Sequence, residues 1–150
     1  SDSFRAHMTK FDHNKHFTGS VTQKALIVRD GRVLLVQYPE SDVLAACKWD
    51  MPGGRLNEGE DPVESLRREV QEEIGAEISI ERILQTGTFV SLSNTPTFFV
   101  VYKARLTNPG QDLRAEQGEI GLINWIKESE LEKLQIIYPQ YNSAIRSAFI

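Results

Sequence analysis

Three glutamates of the 150-residue chain are spaced so that a helix would carry them on one face. Glu69, Glu72 and Glu73 are related as i, i+3 and i+4, and helical side chains at these positions are neighbours. Like charges at this spacing destabilise a helix by roughly 0.2–0.5 kcal/mol per pair. A divalent cation would turn the three carboxylates into a ligand set, because hard ions such as Mg²⁺ prefer carboxylate oxygen. The alternative is a solvated face, the ordinary state of charged residues on a helix.

The residues around these acids favour metal binding. Between Gly54 and Glu77 eight acidic residues are opposed by three arginines, whereas the whole chain has a net charge of only −4. Gly53 and Gly54 stand ahead of the acidic segment. Glycine permits backbone angles that other residues resist, and it lets main-chain atoms approach a ligand closely. The segment therefore combines a local excess of carboxylates with a flexible turn beside them.

The order of these residues follows a known pattern. It runs Gly54, five residues, Glu60, seven residues, and then Arg68-Glu69-Val70-Gln71-Glu72-Glu73-Ile74-Gly75-Ala76. This segment resembles the signature box of the Nudix hydrolases, and all seven fixed positions of that box match. So many matching positions make a chance match rare. The final aliphatic position holds Ala76, a small departure that concerns packing and leaves the chemistry untouched.

The resemblance implies hydrolysis of the pyrophosphate bond of a nucleoside diphosphate linked to another moiety, with Mg²⁺ or Mn²⁺ as cofactor. It implies that Arg68 orients a box glutamate through a salt bridge and that Glu60 is a structural or outer carboxylate. The metal ligands that it implies within this segment are the Gly53 carbonyl, Glu69, Glu72 and Glu73, and one of these glutamates is an option for the general base.

The family often supplies one more acid from a loop outside the box, and this chain offers Glu116 and Glu119. Glu119 lies six residues before Trp125, a spacing similar to that of some family members. We therefore expect Glu119 to bind metal and Glu116 to act as the base. The alternative is that both glutamates are surface residues that serve solubility alone.

Substrate contacts are expected from residues on both sides of the Gly-Gly pair. Arg55 is placed to meet a phosphate, and Gly54 lets the backbone approach it. Tyr38 is expected to stack on a base, since an aromatic face suits any nucleobase. Phe17, Phe89 and Phe98 are further stacking candidates, although strand aromatics more often pack against neighbouring strands.

A helix from Pro62 to Ile74 must present the box glutamates. Asp61 is a suitable N-cap, with proline at the first helical position and Glu64 at the third. Gly75 stands where a left-handed C-terminal residue is wanted. The apolar residues fall at helical spacing and form one stripe: Val63, Leu66, Val70 and Ile74.

Strands are predicted before and after this helix. Alternation of strands and helices, with hairpins among them, predicts an α/β domain with a mixed sheet, and the resemblance implies the Nudix-type α/β/α sandwich. The predicted strands are 21–28, 33–38, 77–90, 97–106 and 119–126; the loop 39–48 carries a short helical piece at 43–47, the polar loop is 107–118, and closing helices are predicted at 128–134 and 139–149.

Length and composition fit one folded domain, because 40% hydrophobic and 25% charged residues exclude fibrous and wholly disordered chains. Residues 1–7 are interpreted as an expression remnant, and 8–150 as a single Nudix hydrolase domain. The longest apolar run is too short to span a membrane, and the net charge disfavours nucleic-acid polymers. The single Cys47, expected to be a packing residue, fits a cytoplasmic location.

The box does not specify the moiety linked to the nucleotide. A nucleoside diphosphate sugar or an ADP-ribose-like compound is the first expectation, and a nucleoside triphosphate is the alternative. A catalytically silent nucleotide-binding module should have lost box acids, and none is lost here. A scaffold with an acidic face would need neither the Gly-Gly pair nor Arg68. Analogy with the family also suggests a homodimer.

Overall fold

The computed structural model of the protein describes residues 12–150. The expression remnant interpreted at residues 1–7 lies outside the described residues. No helix within 12–150 is both long and apolar enough to cross a membrane. The elements in chain order are strands β1 (Ser20–Arg29), β2 (Arg32–Gln37), β3 (Trp49–Asp50) and β4 (Gly53–Arg55), helix α1 (Pro62–Ile74), strands β5 (Ile78–Val90), β6 (Pro96–Leu106) and β7 (Leu122–Ile126), 3₁₀-helices at Glu128–Lys133 and Pro139–Tyr141, and helix α2 (Asn142–Ser147).

Strand β1 is the centre of a mixed β-sheet. It pairs in parallel with β6, beginning with Ser20 opposite Thr97, and antiparallel with β4. Strand β5 continues the sheet as the antiparallel partner of β6. At its end β1 turns through Asp30 and Gly31, with φ of 51° and 72°, into β2, which pairs antiparallel with β1, β3 and β7. The mixed sheet confirms the predicted α/β class.

Successive strand residues point to opposite sides of the sheet, so each strand contributes to two packed faces. Both faces are covered. The face that carries Ala25 packs against the apolar stripe of α1, including Val70. The face that carries Leu26 packs against the C-terminal segment, including Tyr141 and Ile145. Layers on both faces make the fold an α/β/α sandwich, as expected.

Helix α1 has the predicted ends. The Asp61 side chain accepts a hydrogen bond from the N–H of Glu64, and Pro62 is the first helical residue. Gly75 closes the helix in the left-handed conformation, with a φ of 68°, and its N–H donates to the Gln71 carbonyl. Burial of the apolar stripe fixes the rotation of α1 about its axis and thereby decides which side its glutamates occupy.

The loop after β2 differs from the prediction. Residues 43–47 form a turn and not a helical piece, and the Asp42 side chain accepts hydrogen bonds from the N–H groups of Leu44 and Ala45. The backbone then takes a φ of 60° at Cys47, which a helix cannot continue. Cys47 is also exposed, so its expected packing role is wrong.

Several boundaries also differ from the prediction. The last strand begins at Leu122, and the helix predicted at 128–134 is a 3₁₀-helix over Glu128–Lys133. The helix predicted at 139–149 divides into the 3₁₀-helix Pro139–Tyr141 and the α-helix α2. Strands β3 and β4 have two and three residues and were not predicted, because such short segments carry no periodic pattern.

Candidate active site

Strand β4 brings its two glycines against helix α1. The Gly53 N–H donates a hydrogen bond of 2.8 Å to Oε1 of Glu73. A Cβ at Gly53, whose φ is 140°, would overlap the Gln23 carbonyl oxygen. A Cβ on Gly54 would lie 2.8 Å from the carboxyl carbon of Glu69. Glycine at both positions therefore lets the backbone of β4 lie directly against the carboxylates of α1.

Glu73 is a buried carboxyl group, with only 8% of its surface exposed. Burial raises the pKa of Glu73 to about 8, although the Lys24 ammonium and the Gly53 N–H both act to lower it. Burial also raises the pKa of the half-buried Glu69, against the opposite effect of Arg68. In both carboxyl groups burial outweighs the nearby positive charge, and a cation beside them would favour their ionised forms.

Arg68 is the positive charge in contact with the acidic face. Its guanidinium lies 3.0 Å from carboxylate oxygens of both Glu60 and Glu72, and a contact of 3.3 Å joins it to Glu69. Hydrogen bonds to Glu72 and Glu60 raise the pKa of Arg68. A hydrogen bond from the Asn57 N–H, together with Arg68, lowers the pKa of Glu60. Arg68 therefore holds three carboxylates in fixed relative positions, an arrangement that suits an orienting role.

The loop between β6 and β7 docks on the C-terminal end of α1. The N–H of Glu116 donates to the Glu73 carbonyl at 2.8 Å, and the N–H of Arg114 donates to the Ile74 carbonyl at 2.9 Å. These bonds hold the half-buried Glu116 beside the end of α1, whereas Glu119 is exposed. Within residues 12–150 the side chains of both glutamates are without hydrogen bonds or ion pairs, so the contact of these two acids with α1 is the backbone hydrogen bond of Glu116.

The residues present suit a divalent cation. Among the described residues no three His, Cys, Asp or Glu side chains form a ready-made metal site, since Arg68 holds Glu69 and Glu72 while Glu73 is bound to the amide of Gly53. The donor set nevertheless consists of carboxylate and carbonyl oxygens, which Mg²⁺ and Mn²⁺ prefer. A cation would also favour the ionised form of Glu73, whose pKa burial raises.

A pocket of about 210 Å³ opens beside the glycine pair. Tyr38, Gly54 and Arg55, the three residues predicted to contact substrate, all line this pocket. Arg55 is exposed, and its guanidinium donates a hydrogen bond of 3.2 Å to the hydroxyl of Ser93. The structure thus places the predicted substrate residues and the box glutamates on two sides of one short strand.

Aromatic side chains form one wall of the pocket. Phe89 and Tyr138 line it and stack on each other, with ring centroids 4.0 Å apart and planes at 20°. Tyr141 also lines it and meets Phe89 edge to face at 5.6 Å. Phe17 and Phe98, the other stacking candidates, do not line this pocket. The sequence pattern did not predict Tyr138 and Tyr141 as site residues.

The pocket floor holds a buried charge pair that the sequence pattern also did not predict. Nζ of Lys24 lies 2.9 Å from Oδ2 of Asp50 and 3.3 Å from the Gly53 carbonyl oxygen. The Tyr38 hydroxyl donates to the same Asp50 oxygen at 2.6 Å. Burial alone would lower the pKa of Lys24, but Asp50 raises it above its ordinary value. The available signal was a lysine directly before the apolar run 25–28 of β1.

Comparisons with known proteins agree on one family. The NUDIX domain model matches residues 21–146. An 8-oxo-dGTP diphosphatase of Proteus vulgaris is 40% identical over 83 residues, which are 53% of this chain and 73% of that protein. The structure of the MutT protein from Methanosarcina mazei Go1 has a TM-score of 0.72 at 23% identity, over 86% of this chain and 91% of that one. A UDP-X diphosphatase has a TM-score of 0.70 at 20% identity, over 99% and 70% of the two chains.

Proposed function

The chain belongs to the NUDIX family of hydrolases, and from that membership we propose that it hydrolyses a phosphoric anhydride bond of a small nucleotide with Mg²⁺ or Mn²⁺. One observation carries the proposal: the Gly53–Gly54 pair separates the box glutamates from the pocket by a single strand. A nucleotide base in the pocket would therefore have its phosphates next to the carboxylates of α1. A catalytically silent module would have no need of this arrangement.

The proposed metal ligands are the side chains of Glu69, Glu72 and Glu73 and the carbonyl of Gly53, with Glu119 joining from the loop. When bound, the cation would neutralise phosphate charge and lower the pKa of a water. The chain's own contribution is a carboxylate within hydrogen-bond reach of the attacking water, which accepts its proton.

Three side chains are proposed to position the reactants and move the proton. Arg68 keeps the box carboxylates in place, because its planar guanidinium contacts several of them at once. Arg55, at the mouth of the pocket, contacts a substrate phosphate. Glu116 takes the proton, since a loop residue can close over the ligand while a helix residue is fixed and better suited to holding metal. Glu69 is the alternative base.

We propose a nucleoside triphosphate as the substrate class, ahead of the nucleoside diphosphate sugar expected first from the sequence. The pocket of about 210 Å³ is smaller than the roughly 300–1,000 Å³ of sites that enclose drug-sized ligands, which favours a ligand that places a single base there over one whose second sugar group must also be enclosed. The relative that is 40% identical is named an 8-oxo-dGTP diphosphatase. The likeness to the UDP-X diphosphatase, at 20% identity, concerns the fold alone.

A panel assay tests the proposal. The wild type is incubated with Mg²⁺ and each of a set of nucleoside triphosphates, nucleoside diphosphate sugars and ADP-ribose, and the products are separated by ion-exchange chromatography. We expect a nucleoside monophosphate and pyrophosphate from a triphosphate, and no hydrolysis by Glu73→Gln. Glu64→Gln is the matched control, because Glu64 lies on the same helix with 69% of its side chain exposed. Hydrolysis of the sugars alone would overturn the substrate class, and no hydrolysis of any compound would overturn the activity.

Location and assembly stay predictions. The cytoplasmic location expected from the sequence would be tested by cell fractionation. The homodimer suggested by analogy would be tested by sedimentation velocity at several protein concentrations.

A further inference from the structure

The hydroxyl group of Tyr141 is buried and unpartnered within residues 12–150. Tyr141 is 0% exposed, and its oxygen has no hydrogen-bond partner among the described residues. The ring is held edge to face by Phe99 and Tyr138, at centroid distances of 5.2 and 5.7 Å. A buried hydroxyl without a partner costs free energy, so its retention in a tightly packed aromatic cluster needs an explanation.

The position of Tyr141 supplies that explanation, because the residue lines the pocket beside the glycine pair. The neighbouring polar groups are already engaged. The Tyr38 hydroxyl donates to Asp50, and the Lys24 ammonium donates to Asp50 and to the Gly53 carbonyl. Tyr141 is therefore a pocket-lining residue whose buried hydroxyl the described protein groups do not use as a donor.

We propose that Tyr141 is a specificity-determining residue whose hydroxyl donates a hydrogen bond to a carbonyl oxygen on the base of the bound nucleotide. This inference rests on the proposed function for the nucleotide character of the ligand. A donor positioned for a carbonyl oxygen favours cytosine, uracil and guanine, which carry one, over adenine, which presents only ring nitrogens as acceptors.

A base suits the surroundings of this hydroxyl better than a phosphate does. Lys24 and Asp50 line the same pocket and neutralise each other, so this pair offers no net positive charge to a phosphate. The stacked rings of Phe89 and Tyr138 offer a flat apolar wall that suits a base. The exposed Arg55, proposed to contact a substrate phosphate, lines the same pocket. Burial and the nearby Asp50 also raise the pKa of Tyr141, so its hydroxyl keeps its proton at neutral pH.

A Tyr141→Phe variant separates this role from a structural one. Phenylalanine keeps the ring contacts and removes only the oxygen. If the hydroxyl served the fold alone, the variant would change stability and leave ligand affinity as it was. Removal of a buried unpartnered hydroxyl should leave the melting temperature unchanged or higher. Tyr102→Phe is the matched control, because Tyr102 is also buried but packs on the α1 side of the sheet and donates to Gln23.

The experiment measures binding of nucleoside monophosphates, which requires neither metal nor turnover. CMP, UMP, GMP and AMP are titrated in EDTA into the full chain, and dissociation constants are read from NMR chemical shifts. We expect the wild type to bind at least one of CMP, UMP and GMP more tightly than AMP. Tyr141→Phe should weaken that binding by at least about five-fold, with AMP unchanged and Tyr102→Phe like the wild type.

Several results would overturn the inference. The wild type could bind AMP as tightly as CMP, UMP and GMP, or Tyr141→Phe could leave the affinity for those three unchanged. Tyr141→Phe could also weaken AMP binding by the same factor, or no monophosphate could bind at all. The preference among the four nucleotides is measured on the wild type, so the inference stays testable even if a variant fails to fold. Binding that depends on Tyr141 without hydrolysis would overturn the proposed activity alone. Hydrolysis with unchanged affinity in Tyr141→Phe would overturn this inference alone.

Discussion

Replacing Glu73 with glutamine should stabilise the metal-free protein at neutral pH, and the gain should shrink as the pH falls towards 5. Glu73 is 8% exposed, and burial raises its pKa to about 8. Glutamine has nearly the same shape and no charge, and its amide oxygen can accept the Gly53 N–H bond that Oε1 accepts at 2.8 Å. The substitution therefore removes the cost of ionising a buried carboxyl group and keeps its main contact.

The sign of the pH dependence follows from the direction of the shift. A carboxyl group whose pKa is raised by folding contributes stability that is fully present below its unfolded value of 4.5 and is lost as the pH rises through about 8. At about 1.4 kcal/mol per pKa unit, Glu73 lowers the free energy of unfolding of the wild type by about 3 kcal/mol at pH 7 and by about 1 kcal/mol at pH 5. The advantage of Glu73→Gln in free energy of unfolding should thus grow by about 2 kcal/mol between these pH values.

Urea unfolding in EDTA measures this difference, with the fluorescence of Trp49 and Trp125 as the signal. Glu72→Gln is the matched control, because Glu72 is the adjacent residue and its side chain is 49% exposed. The control should differ from the wild type by less than about 1 kcal/mol at either pH. Mg²⁺ at pH 7 should then stabilise the wild type more than Glu73→Gln, because a ligand that binds the folded state raises its stability.

Two results would refute this account of Glu73. One is a Glu73→Gln variant that is less stable than the wild type at pH 7 in EDTA. The other is an advantage of equal size at pH 5 and pH 7, which would mean that the carboxyl group is not titrating in that range. Equal stabilisation of both proteins by Mg²⁺ would instead leave the burial argument intact and remove Glu73 from the proposed ligands.

Three further predictions concern activity. Arg68→Lys keeps the charge but loses the planar fork, so kcat should fall by about ten-fold or more while Mg²⁺ affinity in calorimetry falls only partly; full activity would exclude the orienting role. Gly54→Ala places a methyl group 2.8 Å from the carboxyl carbon of Glu69, so kcat should fall with an unchanged circular dichroism spectrum. Glu116→Gln and Glu119→Gln should each lower kcat by about 10²–10⁴-fold, with metal binding weakened only in the Glu119 variant; wild-type kcat in both would make Glu69 the leading base.

The local part of the fold was predictable because its signals are short-range. Asp61, Pro62 and Gly75 mark the ends of α1 within a few residues of each boundary, and the structure confirms them. The box spacing also places its glutamates on one face of that helix, where Arg68 contacts Glu69. These features depend on residues close in sequence, so a pattern of types and intervals is enough to predict them.

The pocket floor was not predictable because its contacts are long-range. Lys24 and Asp50 are 26 residues apart, and Tyr38 reaches Asp50 from 12 residues away. They meet only because β1, β2 and β3 pair in one sheet. Tyr141 comes from the last 3₁₀-helix, which joins the pocket through packing against Phe89 and Phe99. No sequence spacing predicts these contacts, because only the assembled sheet brings these side chains together.

One peptide group joins the two halves of the site. The N–H of Gly53 donates to Glu73 on α1, and its carbonyl oxygen accepts a hydrogen bond from Lys24 on β1. Lys24 is paired with Asp50, which in turn holds the Tyr38 hydroxyl in the pocket. A shift of the Gly53 carbonyl must therefore move Lys24 or break its bond, and a change at Lys24 must alter the partner of Asp50. Every link in this chain is buried or half-buried, so one continuous set of hydrogen bonds joins the proposed metal side to the pocket floor.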